Sequence, residues 1–215
     1  MAHIAKLPLT VVPRRAPFLW DLVSSVTGIA LAVYIVAHML LVGSVLLGVE
    51  TYNSMAHALE ASGVAQVDGP LVFAVFLLHF VAAVRKVPLK WPEQVLAVRQ
   101  ARLLRHSETW LWLAQAASGM LLLVLGAIHM WSVLTDLPIT AAKSGARVAD
   151  PAWFILYLFL VVTVCGHAAA GVYRSGVKWG GVLRSKRWTA RRLILGSGVA
   201  LGLLGLVTLA RFLFV

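Results

Sequence analysis

The sequence predicts an all-α integral membrane protein whose five transmembrane helices form one bundle, and three observations support this fold class. The chain of 215 residues is 60% hydrophobic and only 13% charged. Its mean hydropathy is +0.88, which is far too apolar for a soluble domain of this size. Five apolar stretches are long enough to cross a bilayer, and lysine and arginine collect in alternate connections, as in multi-pass membrane proteins.

The five stretches are taken in order along the chain. A hydrocarbon core of about 30 Å requires about 20 helical residues, and residues 20–48, 69–87, 107–134, 152–175 and 193–214 meet this length. Strand-like alternation between turns is absent, so helices are favoured over a barrel. The first stretch is about twice as long as the apolar region of a signal peptide. We therefore expect it to be retained, and treat residues 1–215 as a single transmembrane domain.

Two of the connections are long enough to hold structure of their own. Residues 49–68 and 88–106 each mix apolar residues with charges, a composition typical of helices that lie at a membrane surface. We therefore expect a short interfacial helix in each.

The basic residues predict the orientation of the bundle. They lie in the N-terminal arm and in the second and fourth connections: Lys6, Arg14, Arg15, Arg85, Lys86, Lys90, Arg99, Arg102, Arg105, Arg174, Lys178, Arg184, Lys186, Arg187, Arg191 and Arg192. Because Lys and Arg mark the cytoplasmic side, we expect a cytoplasmic N-terminus and an outer C-terminus. The formal charge of +11 then reflects contact with anionic lipid and with a soluble partner, and nucleic-acid binding is a poor interpretation of it.

Four histidines lie inside four different apolar segments, where ionisable residues are usually functional. With a rise of about 1.5 Å per residue, His38 lies about 25 Å and His129 about 31 Å from the inner ends of their helices. His79 and His167 lie only about 9–10 Å from those ends. The sequence therefore predicts an outer pair, His38 with His129, and an inner pair, His79 with His167.

Two imidazoles at each of two depths are the axial ligand set that two stacked haems require. A zinc site would need a third or fourth ligand at one level, and the single Cys165 excludes a disulfide and a cysteine cluster within this chain. Small residues flank the histidines and leave room for a porphyrin: Gly28, Ala37, Gly43, Gly119, Gly126, Ala127, Gly166, Ala170 and Gly171. Ordinary packing of small residues between helices explains any single glycine equally well.

Haem propionates are anionic and need cationic or hydroxyl partners near the membrane edge. Such groups lie near the inner ends of the helices: Ser24, Ser25, Arg85, Lys86, His106, Trp112, Arg174 and Lys178. We expect these residues to contact the edge and propionates of the inner haem, although each is also suited to anchor the chain at the membrane surface.

Over nearly its whole length the chain resembles the single-subunit, five-helix, dihaem cytochrome b that anchors succinate dehydrogenases and quinol:fumarate reductases. The matching stretches are HMLLVGSVLLG from His38, AAVRKVPL after His79, RHSETWLWLAQAASG leading to GAIH at His129, and GHAAAGVYRSGVKWG ending the fourth segment. The resemblance extends to the order of the histidines, the number of helices and the basic residues that flank them.

The resemblance implies an electron-transfer function in a bacterial cytoplasmic membrane. A flavoprotein subunit with FAD and an iron–sulfur subunit would interconvert succinate and fumarate on the cytoplasmic side. This chain would carry electrons between the iron–sulfur subunit and a quinone through two haem b groups. Menaquinone is favoured over ubiquinone by the resemblance, which also allows a dimer of the whole complex.

Quinone chemistry moves two protons, so the site needs a proton-accepting group. Glu50, His57, Glu60 and Asp68 are available on the outer side. In the menaquinol-oxidising members of the family, a glutamate follows the first ligand histidine at the spacing that Glu60 has from His38, so Glu60 is our choice. Some members also place an acidic residue two positions before the fourth ligand, where this chain has Cys165. A transmembrane proton path that uses such a carboxylate therefore does not carry over.

Two alternatives stay open at this point. One is the cytochrome b of a formate dehydrogenase or hydrogenase, which usually has fewer spans and a different distribution of histidines. The other is a membrane anchor or small transporter without haem, in which the histidines are structural or relay protons.

Overall fold

The computed structural model describes residues 15–215, and this part of the chain is a bundle of helices. Eight α-helices follow one another: α1 (Arg15–Gly43), α2 (Val49–Ala61), α3 (Val64–Val84), α4 (Trp91–Leu104), α5 (Ser107–Leu134), α6 (Ala141–Ala149), α7 (Pro151–Lys178) and α8 (Arg187–Phe212). Within this range α1, α3, α5, α7 and α8 are long and apolar enough to cross a membrane. The predicted class, an all-α membrane protein with five spanning helices, is confirmed.

The bounds of the spanning helices differ from the predicted apolar stretches in both directions. Helix α5 matches its stretch, α1 and α3 end earlier, at Gly43 and Val84, and two helices extend into charged residues. Helix α8 begins at Arg187 rather than at residue 193, and α7 continues to Lys178. Backbone hydrogen bonding continues through charged residues, whereas a hydropathy boundary is placed where the charges begin. A helix of 28 residues such as α7 is about 42 Å long, so its basic end projects beyond an apolar core of about 30 Å.

The two long connections contain the expected short helices, α2 and α4. A third short helix, α6, was not predicted, because nine residues are too few to show a helical period clearly. Its start is nevertheless encoded locally: the side chain of Thr140 accepts a hydrogen bond from the Lys143 amide at 3.2 Å. The next helix, α7, starts in a similar way, since Asp150 Oδ1 accepts from Ala152 at 2.8 Å and Pro151 occupies the first turn.

Small residues bring α7 and α8 into close contact. A methyl group added at Gly198 would meet the Cβ of Ala169 at 2.5 Å and the carbonyl oxygen of Cys165 at 3.1 Å. Only glycine permits this approach of the two backbones, which is how spanning helices gain packing energy where lipid is as apolar as the side chains. Helix α1 packs against α3, α7 and α8, and α5 packs against α3 and α7.

The outer surface of the bundle is apolar, as a lipid-facing surface must be. Val33, Leu193 and Val199 are between 63% and 69% exposed although they lie in the middle or first turns of spanning helices. Such extensive apolar exposure would be a liability in water. The orientation of the bundle in the membrane stays a prediction, and Lys6 and Arg14 lie outside the described residues.

Candidate functional site

A large cavity lies between α1, α3, α5 and α7, and all four histidines line it. Its volume is about 870 Å³, near the upper end of the range of about 300–1,000 Å³ that is usual for ligand and cofactor sites. Residues of α8 close its outer part, among them Gly205 and Thr208. The helices that carry the histidines are therefore the walls of one continuous space.

The histidines are brought together in two pairs. The ring centroids of His38 and His129 are 6.1 Å apart, and those of His79 and His167 are 6.5 Å apart. An imidazole nitrogen lies about 2 Å from a first-row metal that it binds, so two imidazoles on opposite sides of one metal have centroids about 6–6.5 Å apart. Both spacings match this value.

The inner imidazoles each contact a hydroxyl group. Thr27 Oγ1 lies 3.1 Å from His79 Nδ1, and Ser118 Oγ lies 2.9 Å from His167 Nδ1. Neither residue was predicted from the sequence, since a serine or threonine in a spanning helix usually donates its hydrogen bond to a carbonyl of its own helix. With Nδ1 occupied, Nε2 of each ring is the nitrogen available to a ligand.

Two glycines make room for the inner imidazoles. A Cβ at Gly28 would lie 2.8 Å from His79 Cε1, and a Cβ at Gly119 would lie 3.1 Å from His167 Cε1. Both glycines were predicted as small residues beside the site. A larger residue at either glycine would occupy space that the imidazole ring now fills. The residues at this level therefore fit a haem held between two histidines.

The outer imidazoles contact aromatic rings. Tyr34 stacks on His38 with centroids 5.7 Å apart, and Tyr157 meets His129 edge-on at 5.5 Å. Within the described residues His129 Nδ1 is buried and has no hydrogen-bond partner, which leaves Nε2 as the nitrogen able to face the cavity. The outer pair is thus positioned by packing rather than by hydroxyl groups.

Six of the eight residues predicted to contact haem propionates line the cavity: Ser24, Ser25, Lys86, Trp112, Arg174 and Lys178. Arg85 and His106 do not line it. The Arg85 guanidinium lies 5.3 Å from the ring centroid of Trp20, and His106 Nδ1 accepts the Glu108 amide at the start of α5. Sequence position alone did not separate these two roles, because both residues lie at the same depth as the other six.

Asp21 joins two of the predicted cationic residues. Its carboxylate forms ion pairs with Lys86, just after α3, and with Lys178, at the end of α7, the latter at 2.7 Å. Arg174 donates to Gln115 Oε1 at 2.5 Å. The inner mouth of the cavity therefore holds three cationic side chains with polar partners on α1 and α5. These contacts form because the helices that carry the residues are neighbours in the bundle.

A second polar cluster ties α5, α7 and α8 together at the inner end. Tyr173 donates its hydroxyl hydrogen to Glu108 Oε1 at 3.0 Å, and Arg191 donates to the same oxygen at 3.4 Å and to Ser107 at 2.7 Å. Tyr173 is only 2% exposed. These contacts fix the height of α7, and with it the height of His167.

On the outer side Glu60 is held by the backbone of the connection between α5 and α6. Its Oε1 accepts the Ile139 amide at 2.6 Å. Glu60 is half-buried and does not itself line the cavity, although its neighbours Leu59 and Ile139 do. Of the other outer groups that were considered, Asp68 lines the cavity, whereas Glu50 and His57 are exposed.

The same connection is stabilised by further polar contacts. Asn53 Oδ1 accepts the Ala141 amide at 2.8 Å, and the hydroxyls of Tyr52 and Ser144 are 3.3 Å apart. Burial raises the pKa of the Tyr52 phenol, so this group stays protonated at neutral pH. Asp136 contacts Lys143 at 2.9 Å and Arg147 at 2.6 Å, and the hydrogen bond from Lys143 lowers the pKa of Asp136.

Cys165 is buried in an apolar cluster. It is 3% exposed and packs with Met39 and Val161 in an apolar cluster between α1, α7 and α8. This position is well suited to a small apolar side chain.

The fold and the cavity define a multi-pass helical membrane protein with paired histidines between its helices. Residues 96–208 match the family described as succinate dehydrogenase/fumarate reductase transmembrane subunit. The fumarate reductase cytochrome b subunit of Helicobacter pylori strain J99 is 29% identical over 203 residues, which cover 90% of this chain and 79% of that protein. The fumarate reductase cytochrome b subunit of Wolinella succinogenes is 31% identical over 175 residues, covering 77% of this chain and 68% of that protein.

The chain belongs to the family of succinate dehydrogenase/fumarate reductase transmembrane subunits. It is a multi-pass protein of the bacterial inner membrane. The relatives favour this assignment over the cytochrome b of a formate dehydrogenase or hydrogenase, and they agree with the resemblance that the sequence showed.

Proposed function

We propose that this chain is a dihaem cytochrome b that anchors a fumarate reductase or succinate dehydrogenase complex and carries electrons between a membrane quinone and an iron–sulfur subunit. The observation that carries the proposal is the pairing of the four histidines at two levels of one cavity, at centroid distances of 6.1 and 6.5 Å. The relatives described above are cytochrome b subunits of fumarate reductases, which supports the same function.

His38 and His129 would hold the iron of the outer haem, and His79 and His167 would hold that of the inner haem. Bound haem supplies a one-electron carrier whose potential is set by its ligands and surroundings. A zinc site is disfavoured, because the described residues contain no group of three or more His, Cys, Asp or Glu side chains suited to a metal.

Cationic and hydrogen-bond-donating residues at the inner mouth of the cavity would hold the propionates of the inner haem. Lys86, Arg174 and Lys178 are the cations there, and Ser24, Ser25 and Trp112 supply hydroxyl and indole donors. Because Asp21 already pairs with both lysines, it would hold their ammonium groups at the mouth while each keeps donors for a second anion.

The basic connections at this end would face the cytoplasm and dock the iron–sulfur subunit, to which a flavoprotein subunit with FAD would attach. Arg99, Arg102 and Arg105 lie exposed in and after α4, and Arg184 and Lys186 are exposed before α8. Succinate and fumarate would react on the partner subunits. A basic surface of this kind favours association with an acidic partner and with anionic lipid.

The quinone would react on the outer side near Glu60. Quinol oxidation releases two protons, and Glu60 would accept one of them while its Oε1 is held by the Ile139 amide. Menaquinone is the quinone that we expect from the family resemblance. Cys165 has no carboxylate, so a proton path across the membrane at that position is not part of the proposal.

Loss of either outer histidine tests the haem assignment. We expect the purified wild-type complex to show two low-spin b-type haems per chain. We expect His38→Ala or His129→Ala to remove one haem and retain the other, because the inner ligands lie on α3 and α7. Haem content and a redox titration measure this, and a wild-type complex without haem would overturn the proposal.

A second measurement tests Glu60. We expect Glu60→Gln to lower quinol oxidation by at least tenfold while both haems remain, since the amide cannot accept a proton. Asp68→Asn is the matched variant, because Asp68 lines the cavity but, within the part of the chain that the structure describes, makes no backbone contact like that of Glu60. Normal turnover in Glu60→Gln together with a loss in Asp68→Asn would move the quinone site to the cavity mouth beside Asp68.

A further inference from the structure

We propose that Thr27 and Ser118 are positioning residues for the inner haem, each accepting a hydrogen bond from Nδ1 of one inner histidine and so presenting Nε2 to the iron. The inference rests on the proposed function, since it takes His79 and His167 as haem ligands. Neither hydroxyl is needed to explain the fold, because each already has a backbone partner.

The hydrogen bonds that the two hydroxyls make to backbone carbonyls favour one direction for the contact with the imidazole. Thr27 Oγ1 donates to the carbonyl of Val23 at 2.6 Å, and Ser118 Oγ donates to the carbonyl of Gln115 at 3.1 Å. A hydroxyl has one hydrogen, so after this donation it offers only lone pairs. In the proposed arrangement the imidazole is then the donor, which places the proton on Nδ1 and leaves the lone pair on Nε2 for a metal.

The same arrangement occurs twice in the sequence. Thr27–Gly28 precedes His38 on α1, and Ser118–Gly119 precedes His129 on α5, with the hydroxyl eleven residues before the outer histidine in both helices. Eleven residues correspond to about three turns and about 16 Å. The hydroxyl, the glycine beside it and the outer histidine are therefore placed on similar faces of each helix, at two different depths.

Each hydroxyl–glycine pair forms a seat for one inner imidazole. The hydroxyl contacts Nδ1 of the ring at 3.1 or 2.9 Å. The neighbouring glycine leaves space for Cε1, which an added Cβ would approach to 2.8 or 3.1 Å. Two atoms of one ring edge are thus fixed by two consecutive residues, and this occurs independently for His79 and for His167.

The outer level has no such seat within the described residues. His129 Nδ1 is buried without a partner, and His38 is stacked on Tyr34. The hydroxyl contacts therefore distinguish the inner haem from the outer one. A hydrogen bond donated from Nδ1 makes Nε2 more basic, which stabilises ferric over ferrous iron and lowers the potential of the inner haem.

The test uses the purified complex with its haems bound, and compares Thr27→Val and Ser118→Ala with the wild type. We expect both haems to remain and the inner haem to shift toward the ferrous form at least threefold at a fixed ambient potential, which corresponds to about 30 mV. The low-spin electron paramagnetic resonance signal of the inner haem should move as well. The outer haem should keep its potential and signal, and Thr27→Ser should restore wild-type values.

Thr208→Val is the matched control. Thr208 is 4% exposed and lines the same cavity, but its hydroxyl has no hydrogen-bond partner within the described residues. We expect this variant to leave the inner haem unchanged. His129→Ala, which should lack the outer haem, assigns the two signals.

The outcomes separate the inference from the proposed function. If both haems bind and neither Thr27→Val nor Ser118→Ala changes the potential or signal of the inner haem, the inference is wrong and the proposed function stands. Loss of the inner haem in Thr27→Val supports the inference if Thr27→Ser restores it, and overturns it if Thr27→Ser does not. A wild-type complex that binds no haem overturns the proposed function itself.

Discussion

At Gly28 and Gly119 the backbones of α1 and α5 come into contact with the inner imidazoles. Because glycine has no side chain, each imidazole can lie directly against the helix. An added Cβ would lie 2.8 Å from His79 Cε1 at the first position and 3.1 Å from His167 Cε1 at the second. Neither histidine ring can move aside freely, because each is also held by a hydroxyl at Nδ1.

Gly28→Ala should therefore displace His79. We expect loss of most of the inner haem and retention of the outer haem, measured as haem per chain and by redox titration. Gly166→Ala is the control, since a Cβ at Gly166 meets nothing within 4 Å although the residue precedes His167. Equal haem content in the two variants would contradict the role assigned to Gly28.

Some residues of the site were predictable from sequence and others were not. Counting along the helices predicted which histidines would be neighbours, and the structure brings together those same pairs, because helical rise is regular. Asp21 was not recognised as the partner of Lys86 and Lys178, since that contact depends on the lateral arrangement of α1, α3 and α7. Thr27 and Ser118 were not predicted, because a hydroxyl in a spanning helix usually needs no partner beyond a carbonyl of its own helix. Their shared spacing from His38 and His129 was nevertheless visible in the sequence.

At the scale of elements, the spanning helices followed from hydropathy, whereas α6 is defined by its contacts. Gly145 in α6 packs against the end of the chain. A Cβ there would lie 3.1 Å from the carbonyl oxygens of Phe212 and Val215. Tyr52 and Val148 belong to the buried cluster beside it. This short helix therefore joins α2 to the end of α8.

Gly145→Ala should destabilise the protein. Alanine gains about 1 kcal/mol over glycine inside a helix, but overpacking against backbone that cannot yield typically costs about 1–3 kcal/mol. We expect a net loss of about 1 kcal/mol and a lower unfolding temperature in detergent. Gly196→Ala, where a Cβ meets nothing within 4 Å, should not lower that temperature. An unchanged or raised temperature in Gly145→Ala would show that the end of α8 can move.

At the scale of the whole molecule, the distribution of charge predicts how the bundle sits in the membrane. The exposed basic residues before α8 and the acidic residues of the opposite connections lie at different ends of the spanning helices. The fold alone does not specify which end faces the cytoplasm, because a helical bundle packs equally well in either orientation. The prediction therefore depends on the arginine and lysine bias.

Introduced cysteines test this orientation. Ser62 follows α2 and Ser185 precedes α8, and both are exposed. We expect a membrane-impermeant maleimide to label Ser62→Cys in intact spheroplasts, and Ser185→Cys only after the membrane is dissolved. The native thiol should contribute little background, because Cys165 is 3% exposed. The reverse pattern of labelling would place the N-terminus outside.

The eleven-residue interval from Thr27 to His38, repeated from Ser118 to His129, constrains how this protein can change. One inserted residue turns the rest of the helix by about 100°, so the hydroxyl and the histidine would no longer lie on similar faces. Helices α1 and α5 each contribute residues to both histidine pairs, and an insertion between the two levels would therefore displace one pair relative to the other. We expect the connections to tolerate changes in length better than these helices, and the interval would set the distance between the two proposed haems.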